Sequence, residues 1–301
     1  MDALIELGRH LSASGYRFVT VTPETHRRVN ARLENARART LRDVFGWSRP
    51  FDPGVVPAGL LDCMREADAL LESDSGFRSA VRFSSHQDRL FVHSAYPTAD
   101  TDSVFFGPDT YRFCSVVERV AKRSSRVVDI GCGTGAGGIV VASAADEVVL
   151  ADVNPLALRY AQVNARLAAT HNVEVRRSDV LAQVAGPMDL VIANPPYMRD
   201  DLARTYRDGG GLYGEGLALR IVREATERLA RRGTLILYTG AAIVDGEDTF
   251  HRAWLPLLTK ENADVRYEEL DPDVFGEELD RPAYAAVERI AAVVLVASWG
   301  R

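Results

Sequence analysis

The stretch Val127-Val128-Asp129-Ile130-Gly131-Cys132-Gly133-Thr134-Gly135 decides how this chain reads. An apolar run with a single acid inside it has the pattern of a buried strand. Three glycines at alternate positions then permit a tight turn whose backbone N–H groups approach a ligand closely. A helix to about Ala145 follows. The spacing is not the G-x-G-x-x-G of dinucleotide enzymes, because Gly131, Gly133 and Gly135 alternate and Asp129 precedes them within the strand.

Outward from this turn the periodicity predicts strands at 126–130, 147–152, 173–177, 188–193, 234–238, 264–270 and 290–297. Helices are expected over 155–170, 216–230 and 247–262. Such alternation implies an α/β fold: a Rossmann-like, seven-stranded, doubly wound sheet of parallel strands with helices on both faces, binding ligands beyond the carboxyl ends of its strands.

Upstream the pattern is mixed. A helix carries Leu4, Leu7 and Leu11, an apolar stretch spans 16–21, and an arginine-rich helix runs from Pro23 to about Phe45. After the turn-rich 49–54, helical spacing returns over Pro57 to Leu71, with Leu60, Leu61, Met64, Ala67 and Leu71 on one face. Alternation in 80–84 and 89–93 predicts a β-hairpin bridging to the second domain. The expected division is a smaller N-terminal α+β domain over 1–100, recognising substrate, and a catalytic domain over 101–301.

The motif Asp129, Gly131, Gly133, Gly135 resembles class I S-adenosylmethionine-dependent methyltransferases. That resemblance implies that Asp129 lies near the methionine part of the cofactor and that the loop, with Cys132, packs against it. Asp152 ends the next strand, where a carboxylate accepts both ribose hydroxyl protons; Asn154-Pro155 beside it is a candidate helix cap. The resemblance assigns to Asp179 a hydrogen bond from the adenine amino group, with Val153 and Val180 completing the cofactor-binding set.

The strand 188–193 runs into Asn194-Pro195-Pro196-Tyr197. Two prolines cannot extend a central strand and fix the asparagine where the strand stops. A planar amide or amine is a poor nucleophile because its lone pair is delocalised; a side-chain carbonyl that accepts its N–H hydrogens orients that lone pair for attack. Tyr197 offers a ring face for a flat group. The tetrapeptide resembles the signature shared by adenine-N6 methyltransferases and by HemK-type glutamine-N5 enzymes, which implies catalytic roles for Asn194, Pro195, Pro196 and Tyr197 and a contact of Asn194 with the cofactor.

Two further stretches resemble the HemK-type branch: Val104-Phe105-Phe106-Gly107-Pro108-Asp109-Thr110 and the glycine-rich 208–217. Phe105 and Phe106 are candidates to cover the cofactor, and Asp109 or Thr110 to cap the next helix. The chain departs from that branch after Tyr197, where a glutamate-proline element is missing, and at Tyr238-Thr239-Gly240, where the fifth strand ends without the usual acid. The acceptor implied first is a protein glutamine, for example in a translation factor. An adenine of rRNA, tRNA or DNA is the alternative, with Arg27, Arg28, Arg32, Arg37, Arg39 and Arg42 as its phosphate-tracking face. A cofactor-binding protein without catalysis is the third reading.

Composition bounds the rest. Hydrophobic residues make up 47% and charged residues 26% of the 301, enough to bury a core without disulfides. Cys63, Cys114 and Cys132 form no CxxC pair and the six histidines no HxxxH, so no metal site is expected and reduced thiols in a cytoplasmic location fit. No basic leader and no run of about 18 apolar residues predicts secretion or a membrane partner. A net charge of −6 gives no whole-chain attraction to nucleic acid. No G-x-S-x-G marks a hydrolase nucleophile.

Overall fold

The computed structural model describes residues 1–73, 76–200, 202 and 204–300. The chain opens with α1 (Asp2–Ala13), α2 (Pro23–Asn30), α3 (Leu41–Phe45) and α4 (Ala58–Glu66). Two hairpins follow, β1 (Leu70–Ser73) with β2 (Gly76–Ser79) and β3 (Val81–His86) with β4 (Arg89–Ser94). The second half runs α5 (Pro108–Val120), β5 (Ser124–Ile130), α6 (Ala136–Val141), β6 (Ala145–Asp152), α7 (Pro155–Leu167), β7 (Val173–Arg177) and β8 (Met188–Ala193). It closes with α8 (Gly216–Arg228), β9 (Leu229–Val244), the two-residue β10 (Glu247–Asp248), α9 (Thr249–Lys260), β11 (Asp264–Asp271) and β12 (Arg289–Ser298).

The second half forms one sheet in the order β11-β12-β9-β8-β5-β6-β7, with β10 pairing β9 off this path. All seven expected strands are in it. Pairing is parallel from β7 through β9, and strand order reverses between β6 and β8 around β5, so the crevice falls beyond the carboxyl end of β5. The expectation of a parallel sheet fails at one edge: β12 is antiparallel to β9, and β11 to β12. Residues 272–288 between β11 and β12 hold only two short 3-10 turns, so this connection lacks the long helix that returns a chain for parallel pairing.

β9 does not stop at Tyr238 but continues to Val244. Its antiparallel partner β12 stays in register with it from Thr234 to Ile243, supplying hydrogen bonds after β8 has ended at Ala193. The sheet therefore has a step, with Tyr238, Thr239 and Gly240 standing beyond the end of β8.

The N-terminal elements differ from the sequence reading in two places. The arginine-rich stretch is not one helix: α2 ends at Asn30, a 3-10 turn covers Leu33–Asn35, and α3 starts afresh behind Thr40, whose hydroxyl accepts the Asp43 N–H while the Asp43 carboxylate accepts the Thr40 N–H. The helix expected to reach Leu71 ends at Glu66, since Asp68 turns into the left-handed region, and Leu71 lies in β1, half exposed. Leu4, Leu7, Leu11, Phe45, Met64 and Phe83 form a core that α7 completes with Ala157, Tyr160 and Val163.

Asn164 of α7 ties the two halves together. It is fully buried; its Oδ1 accepts the Val92 N–H at 2.7 Å and its Nδ2 donates to the Val92 and Thr134 carbonyls at 3.1 and 2.9 Å. One side-chain amide thus occupies the place of a third strand on the free edge of the β3–β4 hairpin and also anchors the glycine turn. Replacing Asn164 by Ala strands three buried backbone groups. We expect a loss of about 3 kcal/mol in unfolding free energy, read from urea denaturation midpoints; a loss within about 0.5 kcal/mol, the level of ordinary surface changes, contradicts this account.

Candidate active site

A cavity of about 240 Å³ opens at the carboxyl ends of β5, β6 and β8. Its wall includes Ile130, Gly131 and Gly133 after β5, Asp152 and Val153 after β6, Asp179 and Val180 after β7, and Asn194 through Tyr197 after β8. Four strand ends thus deliver to one space most of the residues singled out from the sequence. Gly131, Gly133 and Gly135 take φ values of +62°, +52° and +76°, which L side chains rarely adopt. A Cβ at Gly131 or Gly133 would meet no atom within 4 Å, so the turn presents an open concave backbone.

Three candidates lie behind the wall. Asp129 is 1% exposed, and its Oδ2 accepts the Gly138 N–H at 2.8 Å, pinning the turn to the start of α6. Cys132 is buried with its N–H on the Ala151 carbonyl, and Gly135 packs against Leu150. These three shape the loop and do not line the cavity.

Asp152 is nearly buried at the cavity floor. Its Oδ2 accepts the Gly133 N–H at 2.9 Å and its Oδ1 the Asn154 N–H at 2.8 Å, which leaves each oxygen a free lone pair. The helix cap is a separate residue, since Asn154 Oδ1 accepts the Leu156 N–H and starts α7. Burial raises the Asp152 carboxyl and pushes Asp129 up to about 7, offset in part by those N–H donors. No lysine or arginine pairs with either acid among the described residues.

Asp179 is exposed and forked by Arg220, at 2.7 and 3.0 Å. Beside it Val180 is buried and Val153 is 46% exposed, a large apolar surface left open at the rim. Asn194 is half-buried, and among the described residues its side-chain amide has no protein hydrogen bond.

The expectation for the segment 104–110 divides. Phe105 lines the cavity, but Phe106 is fully buried, stacked on Phe91 and His93 in the core. Thr110 makes the expected cap, accepting the Gly107 N–H at 3.3 Å. Asp109 does not cap: its carboxylate accepts the Tyr197 and Tyr238 hydroxyls. Burial and the Asp109 charge hold both phenols well above their usual pKa. The glycine-rich stretch folds onto the Tyr197 backbone, and a Cβ at Gly214 would collide with the Tyr197 carbonyl.

Sequence reasoning missed one wall entirely. Thr205, Tyr206 and Arg207 line the cavity and are strapped to the N-terminal half: Thr205 N–H and Oγ1 donate to the Thr101 carbonyl at 3.1 and 3.0 Å, and the Tyr206 hydroxyl to the Thr98 carbonyl at 2.9 Å. Arg204 holds Asp200 down to about 2, and Arg207 and Arg281 close on Glu278. No periodic signal marks this segment, because ion pairs between loops carry none.

The raised carboxyl of Asp129 has a linkage sign. Its folded-state pKa of about 7 exceeds the ordinary 3.8, so the folded chain binds a proton more tightly and Asp129 costs stability as pH rises from about 4 to 7. We expect the Asp129→Asn variant to gain unfolding free energy relative to wild type across that window and to hold a constant difference above it. Denaturation at pH 4, 6 and 8 measures this; a difference that does not grow with pH contradicts it.

A sequence model of the methyltransferase small domain family matches residues 114–243, which hold the glycine turn, Asp152, Asp179 and Asn194 to Tyr197. The ribosomal protein L11 methyltransferase of Bacillus cytotoxicus is 29% identical over 136 residues, 43% of this chain and 44% of that protein. The chain therefore spans less than half the length of this relative. The tRNA m1G37 methyltransferase of M. jannaschii superposes with a TM-score of 0.52 at 15% identity, over 74% of this chain and 57% of that one. M. jannaschii TYW2, solved in complex with AdoMet, superposes with a TM-score of 0.51 at 16% identity, over 76% and 92%. At these identities the superpositions bear on fold, which is the Rossmann-like methyltransferase fold. Residues 114–243 thus match the methyltransferase small domain family, within a fold that solved methyltransferases share.

Proposed function

We propose that this chain transfers the methyl group of S-adenosylmethionine to a planar amide or amine nitrogen held at Asn194, and that the acceptor is a protein glutamine. The observation that carries this reading is the uncommitted Asn194 amide, at the stopped end of β8, facing the same cavity as the open glycine turn and Asp152. When bound, S-adenosylmethionine supplies an electrophilic methyl on a cationic sulfonium. Two buried carboxylates, Asp129 and Asp152, with only backbone N–H partners, suit a cationic ligand.

The chain's own residues divide the work. Asp152 accepts ribose hydroxyls through its free lone pairs, Val153 and Val180 flank the adenine, and Asp179 reaches its amino group. Asn194 accepts the acceptor's N–H hydrogens and aims its lone pair, Pro195 and Pro196 hold Asn194 in place, and Tyr197 bounds the flat group. The proton leaves to solvent, since an alkylated amide or amine sheds it without a strong base.

Resemblance of 104–110 and 208–217 to glutamine-N5 enzymes favours a protein acceptor, as does the protein target in the name of the Bacillus relative. The nucleic-acid alternative loses support from the broken arginine stretch. Arg27 and Arg28 pair with Glu24, Arg37 with Asp52, and Arg42 lies over Phe18. Residues 1–100 are assigned to acceptor recognition because Pro23 and Thr98 reach the cavity wall.

Radiolabelled methyl transfer into an extract of cells lacking this protein tests the acceptor. We expect label that survives nuclease and is lost to protease; the converse moves the acceptor to nucleic acid, and no label in either fraction removes the catalytic reading. Asn194→Ala is expected to lower transfer by more than about 100-fold with cofactor affinity changed less than about threefold, and unchanged turnover overturns the role of Asn194. Asp152→Ala is expected to weaken cofactor binding by at least about tenfold, the scale of one charge-assisted hydrogen bond, measured by calorimetry.

A further inference from the structure

We propose that Asp109 is a positioning residue for the acceptor site, its carboxylate clamping the phenols of Tyr197 and Tyr238 so that the Tyr197 ring is held at one angle against the cavity wall. This rests on the reading of Asn194 and Tyr197 as the residues that handle the acceptor. Tyr197 donates its hydroxyl to Oδ2 at 2.7 Å and Tyr238 to Oδ1 at 2.6 Å, distances typical of bonds to an ionised carboxylate. Arg112 Nη1 adds a contact to Oδ1 at 2.9 Å and through Nη2 reaches Asp271 at 2.7 Å. One carboxylate thus joins the first turn of α5, the loop after β8, the extension of β9 and, through Arg112, the end of β11.

An acid at position 109 is not needed to start the helix, because Thr110 provides the cap. What the acid alone supplies is two acceptor oxygens side by side for two phenols. A carboxamide would offer one acceptor and turn a donor toward the other hydroxyl. The remaining freedom of the Tyr197 ring is closed by packing: Gly240 leaves no room for a Cβ against one edge, and Phe275 meets the ring at 6.0 Å and 69°. With its hydroxyl tied as well, the ring keeps one pose beside the acceptor. Tyr238 stands where it does because β9 overruns β8, so the step in the sheet is what brings the second phenol to the clamp.

The test uses the full chain as wild type, Tyr197→Phe, Asp109→Asn and the double variant, with labelled methyl transfer into the same extract at saturating S-adenosylmethionine and cofactor affinity measured alongside. Each single change is expected to slow transfer about tenfold and the pair together no further, with affinity unchanged, because both remove one tether. Losses that multiply to about a hundredfold, or Tyr197→Phe at the wild-type rate, overturn the proposal. Tyr197→Phe removes only a hydroxyl and keeps the test decisive if Asp109→Asn fails to fold. Nuclear magnetic resonance of ring-labelled tyrosine reads the clamp without turnover. Separate signals for the two edges of the Tyr197 ring in wild type, merging in Asp109→Asn, support it; merged signals in wild type overturn it. If wild type transfers no label, the methyltransferase reading fails and these ring signals alone decide the clamp.

Discussion

β8 cannot lengthen. Its ladder with β9 ends at Ala193, and the next residues but one, Pro195 and Pro196, have no N–H to offer. β9 is under no such limit on its other side, where β12 pairs with it for six residues beyond the level of β8. The step between a strand that must stop and one that continues is the constraint from which the site follows. It leaves Asn194 at an open end, sets Gly240 beneath the Tyr197 ring, and brings Tyr238 within reach of the same carboxylate as Tyr197.

Electrostatically the cavity has two characters. The floor under the glycine turn is acidic: Asp152 lines it and Asp129 lies buried behind it, both stabilised only by peptide N–H groups. Behind the outer wall, which Arg207 lines, the ions are compensated: Asp200 and Glu278 are shared among Arg204, Arg207 and Arg281. A cation entering the floor relieves an existing cost, whereas at the outer wall it finds carboxylates already engaged.

How much of this was legible depended on the range of the interactions. The five parallel strands and their helices showed in sequence because each is a local run with its own period, and their ends bring Asp152, Asp179 and Asn194 to one cavity. The antiparallel edge did not show, because a strand looks the same in either direction. The arginine stretch read as one helix because its residues are helix-tolerant, and only the Thr40–Asp43 cap marks the new start. Phe105 and Phe106 are neighbours with opposite fates, one at the cavity and one in the core, a distinction that depends on Phe91 and His93 of β4. Asp109 was readable as a cap and not as a clamp, since its partners lie 88 and 129 residues away.

The strap from Thr205 and Tyr206 to Thr98 and Thr101 has a topological consequence. Both sides of this seam border the cavity, Thr98 from one segment and Thr205 with Tyr206 from the other, so the wall here is one cross-linked strip built from two distant stretches of chain. Residues far apart in the chain therefore share one surface at this wall, and a change in either segment is felt by the other through the same hydrogen bonds.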